Sequence, residues 1–345
     1  MNEDLNKIVL NINDQRSIQK IKNEVEDKLL EFNNIVGVGI GIKYIKGKPT
    51  GIPSIITLVN QKLPENQLES TQIVPKDIKG IQTDVVEVGY IFAGTYGTTD
   101  IEDQALKERV RPVKGGYSVG HKDITAGTIG TCVYDVLSES SVYPPIHGVG
   151  IPSRYYILSN NHVLANCNDA SIGDPILQPG PSDGGTDPKD RIATLSRFVP
   201  IVFAPQVPLE KHNNIVDAAI AEGEFYNLDR EVYWTGNIRG WRPKEKVTVG
   251  LKVTKTGRST NKSFGIINTV NATVDINYSG GRIARFRNQI LITRMSNPGD
   301  SGSLISTIDN IAVGLLYAGS DSVTVACHIE DVRSLLKIEV ADEIL

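Results

Sequence analysis

The stretch Ser296-Asn297-Pro298-Gly299-Asp300-Ser301-Gly302-Ser303, running into the apolar pair Leu304-Ile305, carries the most information in this chain. Glycine has no Cβ to clash, so the backbone from Gly299 to Gly302 can turn sharply and aim its N–H groups at one point. Such a turn exposes a hydroxyl and can hold an oxyanion beside it. A plain glycine-rich β-turn has the same composition, so the reading depends on what else the chain supplies.

Two upstream segments supply it. Tyr155-Tyr156-Ile157-Leu158-Ser159-Asn160-Asn161-His162-Val163 reads as a strand, a polar turn and then a histidine. Neutral imidazole there can take a serine proton and return it to a leaving amine. A histidine packed at a turn is the plain alternative. Ile215-Val216-Asp217-Ala218-Ala219-Ile220-Ala221 reads as an apolar strand with one carboxylate inside it. A charge in such a setting is costly unless paired, and a histidine N–H is the partner it needs; a turn cap is the alternative. The order is His162, Asp217, Ser301, at separations of 55 and 84 residues. Three weak signals in a workable order outweigh any one of them. Ser301 is the expected nucleophile, His162 the base and Asp217 its orienter, with the Gly299 and Ser301 amides as the oxyanion donors.

The rest of the sequence limits the alternatives. The 345 residues suffice for two or three domains with a large core. The 32 glycines favour turns and β structure over long helices. A net charge of −4 without a basic cluster argues against a nucleic-acid partner and a membrane surface. No run of 18 apolar residues spans a bilayer. Three cysteines, Cys132, Cys167 and Cys327, cannot build a disulfide framework, and the polar start Met1-Asn2-Glu3-Asp4 lacks secretory features, so the expected location is the cytoplasm. Asp183, Asp187 and Asp190 lack EF-hand spacing and read as a solvated loop. His121, His147, His212 and His328 show no metal-ligand spacing. The chemistry asks for no cofactor.

Residues 1–110 read as a small α+β unit and linker. Ile18, Ile21, Val25, Leu29 and Leu30 predict an amphipathic helix over about 15–33. Strands follow at Ile35–Ile42, Ser54–Val59 and Asp84–Val88, and a linker from Asp100 to Val110. From Arg111 short apolar runs alternate with glycine-rich turns, which predicts a barrel or sandwich. Expected strands include Tyr155–Ser159, Arg191–Phe198, Lys246–Thr256, Ser263–Val274, Arg282–Thr293, Ile311–Tyr317 and Ser322–His328, with a closing helix over Glu330–Ile338.

Residues 112–340 resemble the chymotrypsin/trypsin-like serine proteases. Ser159-Asn160-Asn161-His162-Val163 is similar to the histidine motif of the bacterial HtrA-type branch, and Asp217-Ala218-Ala219-Ile220 to its aspartate motif. Gly299-Asp300-Ser301-Gly302-Ser303 resembles the serine motif. Ala312-Val313-Gly314-Leu315-Leu316-Tyr317-Ala318-Gly319 resembles the strand lining the substrate pocket. The whole looks like intracellular proteins of the plant NARROW LEAF 1 type and their bacterial homologues, whose leader resembles the segments at Val36-Gly37-Val38-Gly39 and Asp84–Gly89.

The resemblance implies a mainly β fold, a chymotrypsin-like double β-barrel preceded by a small α+β domain and closed by a C-terminal helix. The first barrel would span 111–230 with His162 and Asp217, and the second 231–345 with Ser301. It implies a serine endopeptidase acting on protein or peptide substrates through an acyl-enzyme, gated by the N-terminal domain or an activating partner; the alternative is a catalytically silent scaffold. Met295, six residues before Ser301, stands where tryptic enzymes carry an acid. The expected pocket is therefore apolar, floored by Met295 and walled by Tyr317, Ala318 and Gly319. Arg111 precedes Pro112, a poor site for activating cleavage. The chain is expected to stay intact, with an internal donor satisfying Asp300.

Overall fold

The computed structural model of the chain describes residues 8–94, 104–135 and 154–340. Helix α1 spans Ile12–Leu29. Asn11 caps it, its Oδ1 accepting from the Asn13 and Asp14 N–H groups at 2.9 Å each, which satisfies two otherwise orphaned donors. This cap starts the helix a few residues before the apolar periodicity predicts. Strands β1 (Ile35–Ile45) and β2 (Lys48–Val59) form a hairpin, and β3 (Ile81–Glu87) adds in parallel to β2. A two-residue strand, β4 (Ile91–Phe92), follows.

The first barrel holds β5 (Ser118–His121), β6 (Thr131–Asp135), β7 (Tyr155–Ser159), β8 (Pro175–Leu177), β9 (Arg191–Phe198) and β10 (Ala219–Gly223). Its sheet runs β6-β7-β10-β9-β8-β5, and the Ile129 N–H, just before β6, donates to the Tyr117 carbonyl, just before β5, at 2.9 Å to link the two ends of the sheet. The second barrel holds β11 (Lys252–Gly257), β12 (Asn261–Asn277), β13 (Ile283–Thr293), β14 (Leu304–Thr307), β15 (Ile311–Gly319) and β16 (Val323–His328). Its order is β11-β14-β15-β16-β13-β12, and β12 pairs with β11 to close it. A short helix, Asn161–Leu164, follows β7, and the helix Ile329–Leu336 follows β16. The fold is thus a chymotrypsin-like double β-barrel with an N-terminal α+β unit and a C-terminal helix.

That α+β unit is built into the second barrel. The 17 residues of β12 outrun their barrel partner β11, and β1 pairs antiparallel with the remainder, Gly37 opposite Val274 and Gly41 opposite Thr269. Helix α1 is fastened by buried charge. Lys22 and Glu26 form a buried ion pair, Thr273 Oγ1 donates to Glu26 Oε2 at 2.6 Å, and Arg287 reaches Glu26 Oε1 at 2.9 Å.

Several expectations need adjustment. The strand expected from Lys246 starts at Lys252, because Lys244–Lys246 forms a 3-10 turn. Of the expected linker, residues 100–103 lie outside the described residues, while Gln104–Lys107 is a 3-10 turn with Leu106 buried. His147 also lies outside them. The aspartate loop is not simply solvated. Asp183 receives two donors from Arg258, at 2.5 and 2.8 Å, and Asp190 is buried, accepting from the Thr186 N–H.

Candidate active site

The polar turn after β7 works as a set of brackets. Asn160 donates from Nδ2 to the Asp217 carbonyl at 2.7 Å, and Asn161 Nδ2 donates to the Val199 carbonyl at 2.8 Å. These side chains place the next residue, His162, against Asp217. Asp217 itself lies just before β10 rather than inside a strand, as the apolar run suggests. Its carbonyl is taken by Asn160, so it is absent from the ladder.

His162 Nδ1 lies 2.6 Å from Asp217 Oδ2, and the His162 backbone N–H donates to Oδ1 at 3.1 Å. The two side chains are 7% and 0% exposed. With Nδ1 donating to the carboxylate, Nε2 is the free acceptor, and it is buried without a hydrogen-bond partner among the described residues. Tyr278 completes the carboxylate's surroundings, its hydroxyl donating to Asp217 Oδ2 at 2.9 Å. Burial, then the charge of Asp217, holds the Tyr278 hydroxyl well above the ordinary tyrosine range, so it stays a donor. Its ring meets the His162 ring edge-on, centroids 6.0 Å apart.

The Ser301 turn is clamped from both barrels. Gly299 and Gly302 adopt φ of +95° and +96°, the left-handed region that glycine enters without penalty. Thr128 of the first barrel donates through its N–H to the Ser301 carbonyl at 2.7 Å and through Oγ1 to the Gly299 carbonyl at 2.8 Å. From the second barrel, Gly302 N–H donates to the Leu316 carbonyl at 2.8 Å and Leu316 N–H to the Ser303 carbonyl at 3.0 Å. Ser301 is buried at this seam. An added Cβ on Gly127 would lie 2.9 Å from the Ser301 carbonyl and against Val163, the neighbour of His162. No hydrogen bond joins Ser301 Oγ to His162 Nε2, and neither the Gly299 nor the Ser301 N–H donates to an acceptor among the described residues.

Asp300 has its internal donor. Lys255 on β11 reaches Asp300 Oδ2 at 3.0 Å. Thr260 Oγ1 donates to the same oxygen at 2.6 Å, and the Ser259 N–H to Oδ1 at 2.9 Å. Burial alone would raise the Asp300 carboxyl, but Lys255 and these donors hold it below its usual range. Burial lowers the Lys255 ammonium, with Asp300 opposing.

The expected pocket residues are only partly gathered. Tyr317 and Ala318 pack in one core cluster, and Met295 packs in another with Ile267 and Ile292. Nearer Gly319 stand hydroxyls: Ser296 Oγ lies 3.5 Å from where a Gly319 Cβ would be, and it shares a 2.7 Å hydrogen bond with Thr324 Oγ1. Lys255 and Tyr278 escape sequence reasoning. Their only signals are a lysine in an ordinary strand and a tyrosine just past the end of another, 45 and 61 residues from the carboxylates they meet.

A family profile described as the NARROW LEAF 1 N-terminal domain matches residues 18–89. No curated protein matches the chain. Among solved structures, protease A of Thermobifida fusca is similar at 16% identity and TM-score 0.41, covering 67% of this chain and 98% of its own. A Nocardiopsis protease is similar at 18% identity and TM-score 0.43, covering 66% and 97%. A chymotrypsin of Cellulomonas bogoriensis is similar at 17% identity and TM-score 0.41, covering 66% and 97%. These neighbours are chymotrypsin-like bacterial serine proteases at low identity. No helix among the described residues is long and apolar enough to cross a membrane.

Proposed function

We propose that this chain is a serine peptidase acting on proteins or peptides. Ser301 attacks the substrate carbonyl while His162 Nε2 takes its proton. Asp217, held by Tyr278, keeps the imidazole in the required tautomer and stabilises the imidazolium. The Gly299 and Ser301 amides receive the oxyanion. His162 then protonates the leaving amine, and water releases the acyl group from Ser301 by the reverse sequence.

The observation that carries this reading is the 2.6 Å contact between His162 Nδ1 and Asp217 Oδ2, which leaves Nε2 buried and unpartnered. A scaffold has no use for a buried imidazole aimed at nothing. The three buried free cysteines fit action in a reducing compartment such as the cytoplasm.

The missing Ser301–His162 hydrogen bond favours a second reading, in which substrate or an activating partner must tighten the site, since catalytic contacts often close only in the substrate complex. Labelling with a small fluorophosphonate tests both. Labelling of the wild type and not of Ser301→Ala supports the peptidase. Labelling recovered only with cell extract supports the gated form, and none under either condition overturns both.

A further inference from the structure

The strand that runs past Ser301 is partly occupied by the protein itself. On the edge of β15 away from β16, β14 pairs only as far as Leu315. The Ser301 turn takes the next residue, Leu316, through both its carbonyl and its N–H. Phe92 of β4 pairs antiparallel with Gly319 on this edge, while β16 holds the other side through Thr324. Between these two occupants, no strand among the described residues pairs with Tyr317 or Ala318 on this edge.

β4 is anchored as part of the fold. Ile91 is 0% exposed. It pairs in parallel with Ile276 of β12, and its carbonyl accepts from Asn277 Nδ2 at 3.1 Å. The Ala93 N–H donates to the Asn277 carbonyl at 2.9 Å, and Ser320 Oγ donates to the Val88 carbonyl. A segment tied down on both sides is a fixed neighbour on this edge of β15.

A peptide entering such a cleft gains its backbone hydrogen bonds by adding as a strand to a free sheet edge. Antiparallel partners meet residue for residue, so two free positions accept about two substrate residues. Resting on the peptidase reading above, we propose that β4 closes the cleft on the amino-terminal side of the scissile bond. The substrates are then polypeptides cut after their first or second residue, and Phe92 is a specificity-determining residue that blocks a third.

The experiment compares Ser301 labelling by a small fluorophosphonate, an uncapped dipeptidyl diphenyl phosphonate and an acetyl-tetrapeptidyl diphenyl phosphonate carrying the same terminal two residues. The expected result is fluorophosphonate labelling together with dipeptidyl labelling at least tenfold faster than tetrapeptidyl. Equal or faster tetrapeptidyl labelling, with fluorophosphonate labelling intact, overturns the blocked cleft and leaves the peptidase standing. Absence of fluorophosphonate labelling both without and with cell extract overturns the peptidase reading and this inference with it. The wild-type ratio decides the matter. Phe92→Gly, checked for an unchanged melting profile, is expected to bring the two peptidyl rates together, and an unchanged ratio in that folded variant removes Phe92 from the role.

Discussion

Lys255 Nζ lies 3.0 Å from Asp300 Oδ2, and neither side chain reaches solvent. The pair sits directly behind the turn that presents Ser301, so the turn is braced by a charge already inside the intact chain. Removing one partner of a buried pair strands the other. Lys255→Met is therefore expected to cost about 3–5 kcal/mol in urea unfolding and to reduce fluorophosphonate labelling by more than tenfold. Asp300 has a lowered folded pKa, so its contribution is present above the ordinary carboxylate pKa and lost as pH falls through the lowered value. Labelling competence assayed at pH 7 after incubation at pH 5 should be retained, and collapse of the Lys255–Asp300 brace near pH 5 would contradict this account.

Tyr278→Phe removes one of the donors to Asp217 while keeping the ring against Phe203 and His162. A hydrogen bond to a charged group is worth about 1.5–3 kcal/mol, so the labelling rate of Ser301 should fall about tenfold or more. A rate equal to wild type would show that Asp217 is held well enough by His162 alone.

His328 is buried, and burial lowers its imidazole to about 4 from 6.5. The unfolded chain accepts a proton that the folded chain refuses over that interval. Stability should then decline as pH falls from 6.5 to 4, by about 3 kcal/mol in all. Urea midpoints at pH 7 and pH 4.5 measure it, and His328→Gln should flatten the difference.

A methyl group at position 302 has nowhere to go. A Cβ on Gly302 would run into Ser159 Oγ and the Thr128 carbonyl, at a φ of +96°. Gly302→Ala is expected to lose about 3 kcal/mol or more and to lose Ser301 labelling; a melting curve and the same probe check both.

Glu26 joins Lys22, Thr273 and Arg287 in one buried cluster. Glu26→Ala leaves the Lys22 ammonium buried without its carboxylate, at about 3–5 kcal/mol. Because α1 and β1 belong to the second barrel's structure, unfolding should remain a single transition, and two separate transitions would contradict the shared core.

What the sequence made legible follows from locality. Tyr155–Ser159 and Arg191–Phe198 are found where apolar β-type runs predict them, since each is a short run bounded by turn residues. The Ser301 turn was readable because left-handed backbone at Gly299 and Gly302 leaves a glycine signature. Lys255 was invisible: a lysine in a strand usually marks a solvated face, and only the fold brings it to Asp300. Tyr278 is hidden for the same reason, and so is Phe92, whose significance lies in its pairing with Gly319 across 227 residues. The insertion of β1 beside β12 has no local signal at all.

That insertion has a consequence for the nascent protein. Gly37 meets Val274, so 237 residues must be synthesised before β1 finds its second neighbour. At typical ribosomal speeds of about 5–20 residues per second the open edge waits on the order of tens of seconds. During that interval it is a template for any other extended chain. The hairpin β1–β2 therefore carries an open edge until β12 arrives, and Gly37, Gly39 and Gly41 are what let that late strand settle against it, since a Cβ at each would run into Val274, Thr269 or the Asn268 carbonyl.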